Sequence, residues 1–212
     1  MVTIFYFFLA FIFPFLWVFY FYKKDKHPEP IFWLFLAFIL GITSTIIAYY
    51  AEKFFSFISD KLTRNLVFAL IEEFSKFLFI LIFIFPQKVF DEPIDAMIYM
   101  MFSALGFAFL ENTVFIFKQE TYNVAGILIY RFFGANLLHI LASSLIGYGY
   151  AFFKKTRRLF PLLISFISST FLHFLYNYLI INLLGGFILV LPILWITFLV
   201  VLNELNYLNK NG

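Results

Sequence analysis

The chain alternates between long apolar runs and short breaks that contain charged residues or proline. A membrane-spanning helix needs about 20 predominantly apolar residues, and seven runs come close to this length. Their approximate ranges are 2–22, 31–50, 65–85, 94–117, 125–152, 161–182 and 187–204. The pattern predicts an all-α membrane protein, a polytopic bundle of about seven transmembrane helices, or eight, that forms a single transmembrane domain over residues 1–212.

The stretch 51–64 between the second and third runs has a different pattern. It is rich in charged residues, and its apolar residues Phe54, Ile58 and Leu62 follow one another at intervals of four. This spacing places them on one face of a helix. We therefore predict an amphipathic segment near 51–64 that lies in the membrane interface.

The composition strengthens the membrane assignment. Apolar residues make up 64% of the 212 residues and charged residues only 13%, whereas soluble domains carry about 25% charged residues. A soluble enzyme, a disordered tail and a nucleic-acid-binding protein are therefore excluded, and the expected partner is the lipid bilayer. The absence of cysteine excludes disulfides, thiolate metal sites and cysteine nucleophiles.

The distribution of basic residues predicts the orientation, because cytoplasmic loops are enriched in Lys and Arg. With the N-terminus outside, the inner loops hold nine basic residues: Lys23, Lys24, Lys26, Lys88, Lys154, Lys155, Arg157, Arg158 and Lys210. The outer loops then hold four: Lys53, Lys61, Arg64 and Lys118. We expect a multi-pass protein of the cell membrane with the N-terminus outside, a retained first span and a cytoplasmic C-terminus.

Several ionisable residues fall inside the predicted spans: Glu72, Glu73, Lys76, Glu111, Arg131, His139 and His173. A charged side chain at mid-membrane costs about 2.5–3.5 kcal/mol on insertion scales, so these residues are expected to face one another or a wet cavity. The third to sixth spans supply them, and we place Glu73, Glu111, His139 and His173 in the outer half of the bilayer.

Neighbouring polar residues share helix faces with these groups. Lys76 lies three residues after Glu73 and four after Glu72, so it can pair with either carboxylate. Three asparagines are expected to support the site: Asn112 beside Glu111, Asn136 on the face of His139, and Asn177 one turn after His173.

Carboxylates and imidazoles held together in a membrane cavity suit the activation of water, and two versions remain open. In the first, His139, His173 and Glu111 bind a divalent ion such as Zn²⁺, and another glutamate is the general base. In the second, which needs no cofactor, Glu73 activates the water, and His173 and Asn177 stabilise the oxyanion. The chain contains no His-Glu-x-x-His zinc motif and no Gly-x-Ser-x-Gly motif.

Four ordered motifs within about 65–180 resemble those of the PrsW-type intramembrane proteases, relatives of the CAAX-processing and bacteriocin-processing membrane protease superfamily. The motifs are Glu72-Glu73-Phe74-Ser75-Lys76, Phe107-Ala108-Phe109-Leu110-Glu111-Asn112, His139-x-x-x-Ser143 and His173-x-x-x-Asn177. Asp95 also fits the acidic residue that often opens the fourth helix in that family.

The resemblance implies which residues are catalytic. Glu72 and Glu73 form the first motif, Glu111 is the acid of the second, and His139 and His173 are the two histidines. It also implies a membrane-embedded protease whose partner is a membrane-anchored protein substrate, such as an anti-sigma factor, cut near the outer face.

Two other classes of protein carry similar residues. In a proton-coupled transporter, Glu and His side chains relay protons between helices, and such a protein is expected to show matching broken spans in two halves, which this sequence lacks. An inactive binding or immunity protein of the same fold is the other alternative. Singly, each buried charge also fits a structural ion pair, and Arg131 fits an interface anchor.

Overall fold

The computed structural model describes residues 2–118 and 124–211, and these form α-helices joined by short turns. In chain order the helices are α1 (Val2–Tyr22), α2 (Ile31–Phe54), α3 (Lys61–Phe83), α4 (Asp95–Lys118), α5 (Val124–Arg131), α6 (Leu137–Thr156), α7 (Phe160–Asn182) and α8 (Gly186–Asn211). A 3₁₀ turn, Phe55–Phe57, follows α2, and a π-helical turn, Phe132–Asn136, joins α5 to α6. The all-helical prediction is confirmed.

Five helical stretches of the described chain are long and apolar enough to cross a membrane. They are Ile31–Phe57, Asp95–Phe117, Val124–Thr156, Phe160–Asn182 and Gly186–Lys210. The protein is therefore a multi-pass membrane protein, but the predicted count of seven or eight spans is not confirmed. Helix α3 is too rich in charged residues to qualify by composition, and in α1 the stretch Phe8–Tyr22 is apolar.

The structure corrects the prediction of an amphipathic helix over 51–64. Helix α2 continues to Phe54, and α3 begins at Lys61. The reason is the cap at Asp60, whose carboxylate accepts hydrogen bonds from the Thr63 hydroxyl (2.6 Å) and the Thr63 amide (2.8 Å). These two bonds also lower the pKa of Asp60.

Helix α4 lies at the centre of the bundle, where it packs against α2 and α6. Glycine allows the closest approach. A Cβ added to Gly106 of α4 would lie 1.9 Å from the Phe38 carbonyl oxygen, and one added to Gly41 of α2 would lie 1.9 Å from the Ser103 carbonyl oxygen. The α2 and α4 backbones are therefore in direct contact, which brings α2 beside the end of α4 that carries Glu111.

Candidate active site

Glu73 of α3 is the most enclosed carboxylate of the site and is fully buried. Its Oε1 accepts hydrogen bonds from Lys76 Nζ (2.6 Å) and from His173 Nδ1 of α7 (2.8 Å). Its Oε2 accepts a third from Ser143 Oγ of α6 (3.2 Å). All of these partners are buried as well. Glu73 therefore joins three helices, and its oxygens are already occupied by donors of the protein.

The neighbouring Glu72 lies in a different environment, because adjacent residues point about 100° apart on a helix. Its side chain is 14% exposed, and its Oε2 lies 3.6 Å from His173 Nε2. This oxygen is buried and has no hydrogen-bond partner among the described residues. Glu72 is thus the carboxylate of α3 that is left available for a ligand or for water.

His139 lies between a cation and a carboxylate. Lys76 Nζ is 3.2 Å from its Nδ1, and Glu111 Oε2 is 2.9 Å from its Nε2. Both ring nitrogens of His139 therefore have a partner in the described structure, and a metal ion bound to one of them would take that partner's place. The His139 and His173 rings meet edge to face, with centroids 5.0 Å apart. The two predicted histidines therefore share one site.

Glu111 of α4 is held by Arg131 as well as by His139. Arg131 Nη2 donates to Glu111 Oε2 at 2.7 Å, and Arg131 Nε donates to Asn112 Oδ1. Asn112 Nδ2 in turn donates to Asn136 Oδ1 at 3.0 Å. Arg131 is therefore part of this cluster.

The π-helical turn explains how one stretch of helix supplies both Arg131 and His139. A π turn accommodates one residue more than an α-helical turn and shifts the phase of the residues that follow. It also disturbs the backbone hydrogen bonding, and the Trp17 indole donates to the Phe132 carbonyl oxygen at 2.9 Å. Arg131 before the turn and His139 after it both contact Glu111.

Two cavities meet at the site, and Glu72 and Glu111 line both of them. The first, of about 560 Å³, extends towards α5, α7 and the start of α8 and includes both histidines, Arg131 and Asn177. The second, of about 520 Å³, lies between α2, α3 and α4. An extended chain that occupied both cavities would pass directly beside these two carboxylates.

Sequence reasoning missed Glu52. It was assigned to the interfacial segment, but it lies near the end of α2, lines the second cavity and is within hydrogen-bonding reach of Glu72. The signal was present in the sequence as an acidic residue close to the end of an apolar run. Without the α2–α4 contact, nothing indicated that it faces inward.

The donor set fits a metal ion. Glu72, His139 and His173 each offer one ligand atom, and these three atoms lie within 4.8 Å of one another. Imidazole nitrogen and carboxylate oxygen are the ligands of catalytic zinc sites, and the unpartnered Glu72 Oε2 is available for such a bond. Glu73 holds the opposite nitrogen of His173, the usual outer-shell arrangement. The carboxylate of this set is that of Glu72, whereas Glu111, the ligand predicted from the sequence, contacts His139 Nε2 and Arg131.

Comparison with known proteins gives the family. The family described as "PrsW family intramembrane metalloprotease" matches residues 29–203. The chain belongs to the PrsW family. Protease PrsW of Geobacillus kaustophilus is 31% identical over 169 residues, which are 76% of this chain and 73% of that protein. Protease PrsW of Oceanobacillus iheyensis is 27% identical over 202 residues, 91% of this chain and 90% of that protein.

A third relative, Protease PrsW of Bacillus subtilis, is 27% identical over 193 residues, which are 82% of this chain and 81% of that protein. No solved structure matches the chain. Membership of the PrsW family confirms the resemblance carried by the four motifs, and it makes the protein a membrane-embedded protease rather than a transporter. The four motifs lead us to expect a catalytic core of about 65–180, and the family match extends beyond this stretch on both sides.

Proposed function

We propose that this PrsW-family protease hydrolyses a peptide bond of a membrane-anchored protein at the site where α3, α4, α6 and α7 meet. The residues assigned to this site are Glu72, Glu73, Glu111, His139 and His173. The observation that carries the assignment is Glu72 Oε2, a buried oxygen without a partner in the described structure that faces His173 and borders both cavities. A buried polar atom in this condition is costly unless a ligand satisfies it.

Glu72, His139 and His173 are the residues that would hold a metal ion. Bound Zn²⁺ would supply a Lewis acid and lower the pKa of its water towards about 7. Glu73 does not touch the reacting atoms in this arrangement. It positions His173 through the Nδ1 proton, and Lys76 balances its charge. We therefore assign the role of general base, predicted for Glu73, to a carboxylate that lines the cavities.

Glu111 is the general base in our proposal. Its side chain is 40% exposed, and it lines the two cavities into which an extended substrate would fit. It accepts the proton of the attacking water and returns it to the leaving amine when the peptide bond breaks. Arg131 and His139 both contact its Oε2 and so orient the carboxylate.

The oxyanion that forms on the peptide carbonyl needs a donor in the same cavity. Asn177 of α7 and Arg131 both line the first cavity beside the histidines. Their N–H groups can stabilise the developing negative charge, since donors fixed in a water-poor cavity are effective there.

The substrate class follows from the cavity walls. Apolar side chains such as Ile127, Ile180 and Phe187 surround the polar site in the first cavity. They suit an apolar segment of a membrane-anchored protein, and an anti-sigma factor cut near the outer face of the cell membrane is our expectation.

The orientation of the protein in the membrane can be tested directly, because the chain has no cysteine of its own. With the N-terminus outside, a thiol reagent added outside labels the variant Lys61→Cys and does not label Lys88→Cys.

The test of the site is cleavage of a membrane-anchored fluorogenic reporter by the detergent-purified protein reconstituted in liposomes. We expect turnover by the wild type and by Glu204→Gln, which removes a carboxylate of α8 outside the site. We expect none by His173→Ala or Glu72→Gln, with both variants folded and inserted. Wild-type turnover by either of the last two would overturn the assignment. If wild-type turnover survives complete removal of metal, Glu72 and Glu111 alone activate the water.

A further inference from the structure

A second group of carboxylates lies at the other end of α4. Glu29 of the α1–α2 loop, Asp91 of the α3–α4 turn and Asp95 at the start of α4 each bring one oxygen within 4.8 Å of the others. Asp95 precedes Glu111 by 16 residues on the same helix, a separation of roughly 24 Å at about 1.5 Å per residue. The cluster is therefore distinct from the proteolytic site.

Two buried carboxylate oxygens, one in this cluster and one on the neighbouring Asp25, lack a hydrogen-bond partner in the described structure. Asp95 is fully buried, and its Oδ2 accepts hydrogen bonds from the amides of Asp91 (3.0 Å) and Glu92 (2.7 Å). Its Oδ1 has no partner in the described structure. The same is true of Oδ2 of Asp25, a residue that is only 7% exposed. The Asp95 and Glu29 carboxyls also lie within hydrogen-bonding reach of each other, although neither carboxylate has a proton to donate when ionised.

Two positive side chains nearby, His27 and Lys154, bond to other groups. His27 Nδ1 contacts Glu92 Oε1 at 2.7 Å, at the edge of the cluster. Lys154 Nζ donates to the Phe90 carbonyl oxygen at 3.1 Å and lies 3.6 Å from the centroid of the Phe90 ring. Within the described ranges 2–118 and 124–211, neither cation bonds to Glu29 or Asp95. Neither of these two cations therefore neutralises Glu29 or Asp95, and a proton or a metal ion can do so.

We propose that Glu29, Asp91 and Asp95 bind a Ca²⁺ ion. Carboxylate oxygens are the ligands that Ca²⁺ prefers, at about 2.3–2.6 Å, so two of its ligand atoms can lie up to about 5 Å apart. Mg²⁺ favours a stricter octahedron and usually keeps several waters, so it takes only one or two protein carboxylates. Three protein carboxylates that converge within 4.8 Å of one another therefore favour Ca²⁺.

The surroundings of these carboxylates are already ordered in the manner of an outer shell. The Tyr99 hydroxyl, one helical turn after Asp95, donates to Glu29 Oε2. The two amides that bond to Asp95 Oδ2 fix that carboxylate to the α3–α4 turn. Such contacts orient metal ligands before the ion binds. The ion would join the α1–α2 loop, the α3–α4 turn and α4, and this role does not depend on the proposed proteolytic mechanism.

The experiment measures binding of radioactive calcium to the detergent-purified full chain by equilibrium dialysis, with excess Mg²⁺ present. We expect one saturable Ca²⁺ site per chain, and at least about tenfold weaker binding for Asp95→Asn and for Glu29→Gln. Two variants are used because one could fail to fold, and circular dichroism identifies such a case. Glu204→Gln is the matched control, since it also removes a carboxylate with a buried, unpartnered oxygen.

His173→Ala is the second control. It should bind Ca²⁺ as the wild type does, which distinguishes this ion from one at the proteolytic site. We also expect Ca²⁺ to raise the melting temperature of the wild type and not that of Asp95→Asn. The proposal is wrong if the folded wild type shows no saturable Ca²⁺ binding, or if both cluster variants bind it with wild-type affinity. In either case protons neutralise these carboxylates.

Discussion

His173 Nδ1 lies 2.8 Å from Glu73 Oε1, although the two residues are 100 positions apart in the chain. The carboxylate accepts the Nδ1 proton, so the Nε2 lone pair of His173 faces Glu72. This one contact fixes both the tautomer and the direction of the imidazole. It also separates the roles of two adjacent glutamates, because Glu73 orients the ring and Glu72 shares the open face with it.

Glu73→Gln should therefore reduce cleavage by about 10–100-fold, the usual effect of losing the outer-shell partner of a ligating histidine. The neutral glutamine amide lacks the negative charge that attracts both the Nδ1 proton of His173 and the ammonium group of Lys76. The measurement is the cleavage rate of the membrane-anchored reporter in liposomes. Ser143→Ala is the matched comparison, because it removes only the longer contact to Glu73, at 3.2 Å. A larger loss from Ser143→Ala than from Glu73→Gln would contradict this role.

The ion pair of Glu73 and Lys76 leads to a prediction about stability. Both side chains are fully buried, and removal of one partner of a buried pair costs about 3–5 kcal/mol because the other charge is left uncompensated. Lys76→Met should therefore destabilise the protein by about this amount. The double variant Glu73→Gln/Lys76→Met should recover most of the loss but not the cleavage activity. Equilibrium unfolding in mixed detergent micelles measures the free energies, and a double variant as unstable as Lys76→Met would refute the prediction.

The identity of the third metal ligand can be tested by elemental analysis of purified variants. We expect stoichiometric zinc in the wild type and its loss in Glu72→Gln and His173→Ala. Glu111→Gln should retain the metal but lose cleavage, because Glu111 contacts His139 and Arg131 and lies outside the converging set. Retention of zinc by Glu72→Gln, together with its loss in Glu111→Gln, would restore the ligand set predicted from the sequence.

Arg131→Lys should lower cleavage by at least about tenfold, since lysine cannot reproduce the planar fork of arginine. The guanidinium reaches Glu111 with Nη2 and Asn112 with Nε at the same time. The bound metal should be unchanged, because none of the three ligands contacts Arg131 through a described hydrogen bond. Parallel measurement of the rate and of the zinc content separates this effect from a general loss of structure. Wild-type rates in Arg131→Lys would show that the position of Glu111 does not depend on the fork.

The sequence predicted most of the helices, because apolar runs of about 20 residues leave little choice in a membrane. It failed at 51–64, where the spacing of Phe54, Ile58 and Leu62 indicated one helix. The Asp60 cap and the preceding 3₁₀ turn divide that stretch between two helices. The spacing of apolar residues does not show that Asp60 caps the start of a new helix.

The sequence predicted which ionisable residues lie close together, but not how each side chain is oriented. The cost of burying charges in a bilayer was sufficient to expect Glu72, Glu111, His139 and His173 in one place, and the structure brings them together. Which of two adjacent glutamates faces the cavity depends on how α3 is rotated against α7, and only tertiary packing sets this rotation. The same limit applies to Glu52, whose inward position depends on the contact of α2 with α4.

The π-helical turn at Phe132–Asn136 has a consequence for how the gene can vary in length. The turn holds one residue more than regular helix, so the loss of a single codon there would still leave an unbroken helix. In that helix the directions of Arg131 and His139 would differ from the present arrangement by about 100°. The two side chains could then no longer both contact Glu111. A one-residue deletion that leaves membrane insertion intact would therefore abolish proteolysis.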